Sequence, residues 1–204
     1  MDPARFHGVY ALIDPAAHAE PVAYLNALLR GGIRLVQIRA KGGIGPELLR
    51  AVIARIRAAG GIAIMNDDVE LALEADGVHL GQEDLAGHDL RVVRARLGAR
   101  TIGLSCGTPA EARAVPAGLV DYIGAGPIFA TASKGDAGGP IGVNGVRVVV
   151  EATSVPVAAI GGITLASVPR VRETGAAMAA VISALSAAPD PEATARAFVA
   201  AWTA

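Results

Sequence analysis

Apolar runs just long enough for a β-strand recur eight times along this 204-residue chain, each followed by a polar or glycine-rich stretch and then an Ala/Leu/Arg-rich helical pattern. The runs cover residues 9–13, 35–38, 62–65, 77–80, 101–104, 122–124, 157–160 and 178–182. The helical patterns lie near 19–30, 46–59, 69–74, 88–97, 109–115, 143–151, 165–173 and 190–202, with Thr108, Asn144 and Thr164 as caps. Strand and helix in strict alternation imply a parallel sheet, and a parallel sheet covered on both faces reads as unbroken apolar runs. Eight such units in a chain this short fit a closed α/β barrel, a single-domain (β/α)8 TIM barrel, better than an open doubly wound sheet. One domain spanning 1–204 is expected, because no linker or low-complexity stretch interrupts the pattern and 52% apolar residues suffice for one core. The longest segment without periodicity, 127–142, is glycine-rich and reads as a mobile loop over an active site.

Composition excludes several classes. A formal net charge of −1 with scattered arginines offers no face that could neutralise a nucleic-acid backbone, so no nucleic-acid partner is expected. The first residues lack the charged start and apolar core of a secretion signal, and no apolar run approaches the roughly 18 residues of a membrane span. A cytoplasmic protein without membrane contact is the expectation. Cys106 is the single cysteine, cannot form an internal disulfide, has no zinc-type spacing with His7, His18, His79 or His88, and reads as a small buried hydrophobe. Of the 18 basic residues only Lys41 and Lys134 are lysines, and both follow strand-like runs in glycine-rich segments, where a compact ammonium can meet a phosphate.

In such barrels chemistry sits at the C-terminal strand ends. After the second run, the alternation of Gln37, Arg39 and Lys41 sends three polar side chains to one side of an extended strand, towards the barrel mouth. They suit an anion, since polar groups in an apolar barrel need a ligand or one another. The third run ends in Asn66, Asp67 and Asp68, and the fourth leads to Asp84. Asp67 and Asp84 at one rim suit Mg2+, which takes a few carboxylates together with water and substrate phosphate; capping of a helix by Asp67 or Asp68 is the plainer alternative. His79 reads as an oriented barrel-lining residue. Ser105 offers a hydroxyl, but with no histidine nearby in sequence to activate it, hydrogen bonding is its expected role. Thr131, Ser133 and Lys134 put two hydroxyls and a cation in one loop. Gly161 and Gly162 after the seventh run, with Ile182 and Ser183 after the eighth, match the phosphate site of the last two barrel loops. Residues 124–127 lack the third glycine of a dinucleotide fingerprint.

Taken together and in order, the stretches VQIRAK, MNDDVELAL, ADGVHLGQEDL, IGLSCGT, DYIGAGPIFATASKGD, VAAIGGIT and AAVISAL resemble those of the thiamine phosphate synthase family. The resemblance spans nearly the whole chain. It implies Mg2+-assisted condensation of 4-amino-2-methyl-5-hydroxymethylpyrimidine diphosphate with a thiazole phosphate, giving thiamine phosphate and pyrophosphate. On this resemblance Gln37, Arg39, Lys41 and Asn66 would hold the pyrimidine diphosphate, Asp67 and Asp84 the Mg2+, and Ser105 and Lys134 the leaving pyrophosphate. Thr131, Ser133, Gly162, Ile182 and Ser183 would bind the thiazole phosphate. Tyr10 and His79 are open as contacts of the pyrimidine ring or as core residues.

Three positions depart from the family pattern. Ser133 stands in place of a more frequent threonine, Ala130 of a frequent proline, and Gly107 of a histidine that a related branch of thiazole tautomerases resembles in using. Two other readings stay open: a tautomerase-like isomerase of the same fold, and a non-catalytic thiazole or thiamine phosphate binding regulator. The partners expected are phosphorylated small molecules, and homo-oligomer formation is open.

Overall fold

The computed structural model describes residues 5–82, 87, 89–131 and 138–204, and in it the eight runs form parallel strands closed into a ring in chain order. They are β1 (Gly8–Ile13), β2 (Leu35–Ile38), β3 (Ile62–Asn66), β4 (Gly77–Leu80), β5 (Thr101–Ser105), β6 (Tyr122–Ala125), β7 (Val157–Ile160) and β8 (Met178–Val181). Closure comes from β8 pairing back onto β1, with Tyr10 opposite Ala180. The architecture is the (β/α)8 barrel that the alternation implies. Among the described residues no helix is long and apolar enough to cross a membrane.

Among the described residues the helices outside the ring are α1 (Pro21–Arg30), α2 (Pro46–Ala58), α3 (Leu90–Leu97), α4 (Pro109–Ala114), α5 (Gly142–Glu151), α6 (Val168–Arg172), α7 (Ser183–Ser186) and α8 (Pro191–Thr203). Several open on proline, whose missing N–H is harmless in a first turn. Asp89 and Asp190 cap α3 and α8 by accepting from Arg91 N and Ala193 N, and Thr108 and Glu111 form a reciprocal capping box on α4. Helix α2 shows why these elements dock: Leu49, Val52, Ile53 and Ile56 fall on one face at helical spacing and all are buried. Burial of each such side chain contributes about 1.5–3 kcal/mol relative to exposure.

Four local expectations need correction. The pattern near 69–74 yields only a 3-10 turn, Leu71–Leu73, because the short span between β3 and β4 leaves no length for α-helical turns. Asn144 is not a cap: α5 begins two residues earlier, at Gly142, and Asn144 lies inside it. Thr164 does cap, its N–H donating to Ser167 Oγ, but the element that it opens is a 3-10 turn, Leu165–Ser167, running into α6, and not α-helix throughout. Of the segment 127–142, expected as a mobile loop, residues 132–137 lie outside the described residues, and the described ends are not free. Ile128 N donates to Ile160 O at 2.8 Å, Phe129 N to Gly161 O at 3.0 Å and Ile141 N to Pro127 O at 2.8 Å, so both ends are tied to the barrel.

Strand alternation sorts side chains into two compartments. Outward residues such as Val9, Ala11, Val36 and Ile102 join the helices in the larger core. Inward residues, among them Phe6, Tyr10, Leu12, Leu35, Ile64, Tyr122 and Met178, fill the ring itself. At the opposite end from the mouth, Asp76 and Asp121 each accept a backbone N–H of the preceding strand, from Ala63 and Ile102, and each pairs with an arginine, Arg57 and Arg94. The charged groups thus anchor strand ends and leave the interior to uncharged side chains. One glycine decides how large an inward side chain can be: a Cβ on Gly103 would lie 2.2 Å from Tyr122 Cζ. Tyr122, about 1% exposed, occupies the volume that Gly103 vacates. We expect Gly103→Ala to lower the unfolding free energy by about 1–3 kcal/mol, as overpacking does, measured by urea denaturation at unchanged m-value.

Candidate active site

Two connected chambers open at the C-terminal ends of the strands. The first, about 360 Å³, is bordered by Gln37, Arg39, Lys41, Asn66, Asp67 and His79. The second, about 240 Å³, is bordered by Gly107, Pro127, Thr131, Gly161, Gly162 and Ser183. Ser105, Gly124, Ile160, Ala180 and Ile182 belong to both and form the wall between them. The structure therefore brings Gln37, Arg39, Lys41, Asn66, Asp67 and Ser105 to one chamber, and Thr131, Gly162, Ile182 and Ser183 to the other, with Ser105 and Ile182 common to both. Ser133, Lys134 and Asp84 lie outside the described residues.

The turn after β3 separates its two aspartates. Asp67 N donates to His79 O at 2.9 Å and Asp68 N to Asn66 O at 2.8 Å, a tight turn that holds Asp67 at a φ of 64°. Asp67 has the only non-glycine positive φ among the described residues, and aspartate is one of the few side chains that tolerates it. Asp68 caps the following 3-10 turn, its Oδ1 accepting from Leu71 N at 2.8 Å. Capping thus belongs to Asp68, while Asp67 borders the cavity and is bonded by the Asn66 amide. Among the described residues no group of three or more His, Cys, Asp and Glu gathers as a metal cage. One rim carboxylate is nonetheless the kind of ligand that Mg2+ uses, since this ion takes one or two carboxylates and completes its shell with water and phosphate oxygens.

A chain of hydrogen bonds crosses the barrel beneath the first chamber. Gln37 Nε2 donates to the Tyr10 hydroxyl at 3.0 Å, and the Tyr10 and Tyr122 hydroxyls are 2.8 Å apart. The Tyr122 hydroxyl is 2.9 Å from His79 Nδ1, and His79 Nε2 is 3.1 Å from Ser105 Oγ. Burial raises the pKa of both phenols above the ordinary value, so both keep their protons at neutral pH. Gly124 gives the imidazole its place, because a Cβ there would lie 3.2 Å from His79 Cε1. Ser105 is hydrogen-bonded as expected, but its partner is a histidine that the neighbouring sequence does not contain. His79 is remote in sequence, but β4 and β5 are neighbours and set His79 against Gly103, two residues before Ser105. Tyr122 escaped the sequence reading altogether; the signal was its inward register with Gly124 on β6.

The second chamber rests on backbone geometry. Gly161 and Gly162 have φ of 99° and 66°, and Cβ atoms there would strike Pro127 Cβ at 2.5 Å and Ala130 O at 2.4 Å. The glycine pair lets the segment after β6 lie against the end of β7. Cys106, also on this chamber, has its thiol pushed up to about 12, mainly by burial, and is not a nucleophile at neutral pH.

A parallel barrel with cationic and carboxylate side chains at one chamber of its mouth and glycine-lined backbone at the other defines a barrel enzyme for phosphorylated small molecules. The thiamine monophosphate synthase family model matches residues 9–185. The chain belongs to this family, whose members are transferases. It is 41% identical to the thiamine-phosphate synthase of Roseiflexus castenholzii, covering 93% of this chain and 85% of the relative. It is 46% identical to the thiamine biosynthesis bifunctional protein ThiM/ThiE of Symbiobacterium thermophilum, where 94% of this chain spans 40% of the longer protein. The solved thiamine phosphate pyrophosphorylase of Pyrococcus furiosus superposes with a TM-score of 0.87 at 29% identity, over 99% of this chain and 98% of the other.

The division of labour between the two aspartates is testable by stability alone. Asp68→Ala should cost about 1 kcal/mol through the lost cap. Asp67→Gly should be more stable than Asp67→Ala by about 1 kcal/mol, because glycine alone adopts the positive φ without strain; urea midpoints of the wild-type protein and the three variants measure both differences.

Proposed function

We propose that this chain is a thiamine phosphate synthase, with residues 1–204 as one catalytic domain in a cytoplasmic setting. It joins 4-amino-2-methyl-5-hydroxymethylpyrimidine diphosphate to a thiazole phosphate and releases pyrophosphate. The observation that carries this reading is the pair of chambers with a shared wall: one with cations for a diphosphate, the other a glycine-lined pocket for a phosphomonoester. An isomerase acting on a single thiazole phosphate would have no use for the first chamber.

Arg39 and Lys41, with Lys134, would neutralise the diphosphate, and Asn66 would fix its orientation. Asp67 and Asp84 would hold Mg2+, which when bound supplies charge neutralisation to the leaving pyrophosphate. Thr131, Ser133, Gly162, Ile182 and Ser183 would seat the thiazole phosphate so that its ring nitrogen meets the methylene carbon where the two chambers adjoin, beside Ser105 and Ile182. The carbon–oxygen bond breaks with its electron pair leaving on pyrophosphate, and the electron-rich aminopyrimidine stabilises the methylene cation. The thiazole nitrogen lone pair then forms the new carbon–nitrogen bond. No proton leaves the nucleophile, so no general base is needed, and the chain's work is to hold both partners and stabilise the departing charge.

Purified protein given both substrates should form thiamine phosphate, followed by fluorescence after oxidation, and chelator should stop it. Absence of product although both substrates bind would refute the synthase reading and leave a binding role. Lys134→Ala and Arg39→Ala should each lower kcat about 10²–10³-fold, the loss typical of one preorganised donor to developing negative charge; an unchanged turnover number would remove that residue from the leaving-group site.

A further inference from the structure

We propose that the Gln37–Tyr10–Tyr122–His79–Ser105 chain is a directional relay in which Tyr122 acts as a positioning residue, making the Ser105 hydroxyl a donor to the leaving group when the pyrimidine is correctly bound. The inference rests on the reading of the first chamber as the diphosphate site.

The Gln37 amide gives the direction, and the proton count carries it along the chain. Each of the four links needs one proton, and each phenol has one to give. Gln37 Nε2 donates to Tyr10, so the Tyr10 proton goes to Tyr122 and the Tyr122 proton to His79 Nδ1. His79 then carries its own proton on Nε2 and donates it to Ser105 Oγ. Ser105, having accepted, keeps its own proton for the first chamber, which it borders. Pyrophosphate oxygens only accept hydrogen bonds, so this polarity offers them a donor.

The opposite polarity is equally complete in proton count. If the Gln37 amide turns over, its oxygen accepts from Tyr10, every link reverses, and Ser105 gives its proton to His79 Nε2. Lone pairs alone then face an anion. The Gln37 amide therefore sets what Ser105 can do at the far end of the chain. Gln37 borders the chamber, and an aminopyrimidine edge presents an amine that needs an acceptor beside a ring nitrogen that needs a donor. In the first orientation Gln37 Oε1 and the second Nε2 hydrogen meet that edge. In the turned orientation donor and acceptor exchange places, so an N–H meets the amine and an oxygen lone pair meets the ring nitrogen, and the edge is refused. Recognition of the pyrimidine at β2 and readiness of the leaving-group donor at β5 become one event, carried by phenols whose burial at 2% and 1% exposure keeps water from breaking the chain.

The imidazole of His79 reports the polarity directly. In 15N-labelled protein with the pyrimidine diphosphate bound, ring 1H–15N spectra, with His79 identified by the signals lost in His79→Gln, should show the Nε2–H tautomer. An Nδ1–H tautomer, or an even mixture, overturns the relay. Tyr122→Phe keeps the ring that stacks on Phe6 but removes the central link, and should mix the tautomers and lower kcat about tenfold, the size of one hydrogen bond to a charged group. The loss should vanish in a Ser105→Ala background, because Tyr122 acts only through Ser105; full additivity of the two losses overturns the proposal. Should Tyr122→Phe fail to fold, Tyr10→Phe breaks the chain one link earlier and makes the same prediction. A wild-type protein that forms no thiamine phosphate refutes the functional reading, and the His79 spectrum still decides the relay.

Discussion

A closed ring of parallel strands turns every second residue into a space that water does not enter, and each polar group placed there has to find its partner within that space. This barrel meets the constraint in two layers. Phe6, Leu35, Ile62, Ile64 and Met178 form an apolar floor, and above it the polar side chains bond to one another from Gln37 to Ser105. Charged side chains are kept out of the ring: Asp76 and Asp121 hold strand N-termini with Arg57 and Arg94, while Arg39, Lys41 and Asp67 stand at the opposite rim. The interior is thus a neutral hydrogen-bonded platform with a charged mouth on top.

Glycine shapes the platform as much as the polar residues do. Gly103 and Gly124 vacate the volume that the Tyr122 and His79 rings fill, and Gly161 and Gly162 let the chain after β6 run along the end of β7. The same strand ends that pack the barrel therefore also form the wall between the chambers, and packing and substrate placement cannot be altered independently. A wall of small residues, Gly124 and Ala180 among them, lets two bound molecules approach one another, as a condensation between two substrates requires.

The fold was legible in the chain because burial on both faces of a parallel strand writes an uninterrupted apolar run, and eight of them with helical spacers leave little alternative. Residues grouped by local alternation were equally legible: Gln37, Arg39 and Lys41 do reach one chamber. What stayed hidden was which side chains of different strands meet. His79 and Ser105 are 26 residues apart in sequence and hydrogen-bonded in space. Tyr122 looked like the first residue of a strand and is the centre of the polar chain. As cap candidates Asp67 and Asp68 were equivalent in the sequence, and only the turn geometry gave the 3-10 turn to Asp68 and left Asp67 at the cavity.

The sequence by itself determined the barrel, its strand order and the side chains that can reach its mouth, because hydrophobic period and strand alternation are local properties of the chain. Only the tertiary structure decided which polar groups meet, since in a closed barrel partners come from strands adjacent in the ring or facing across it, and register and ring geometry have no signature in any single stretch of residues.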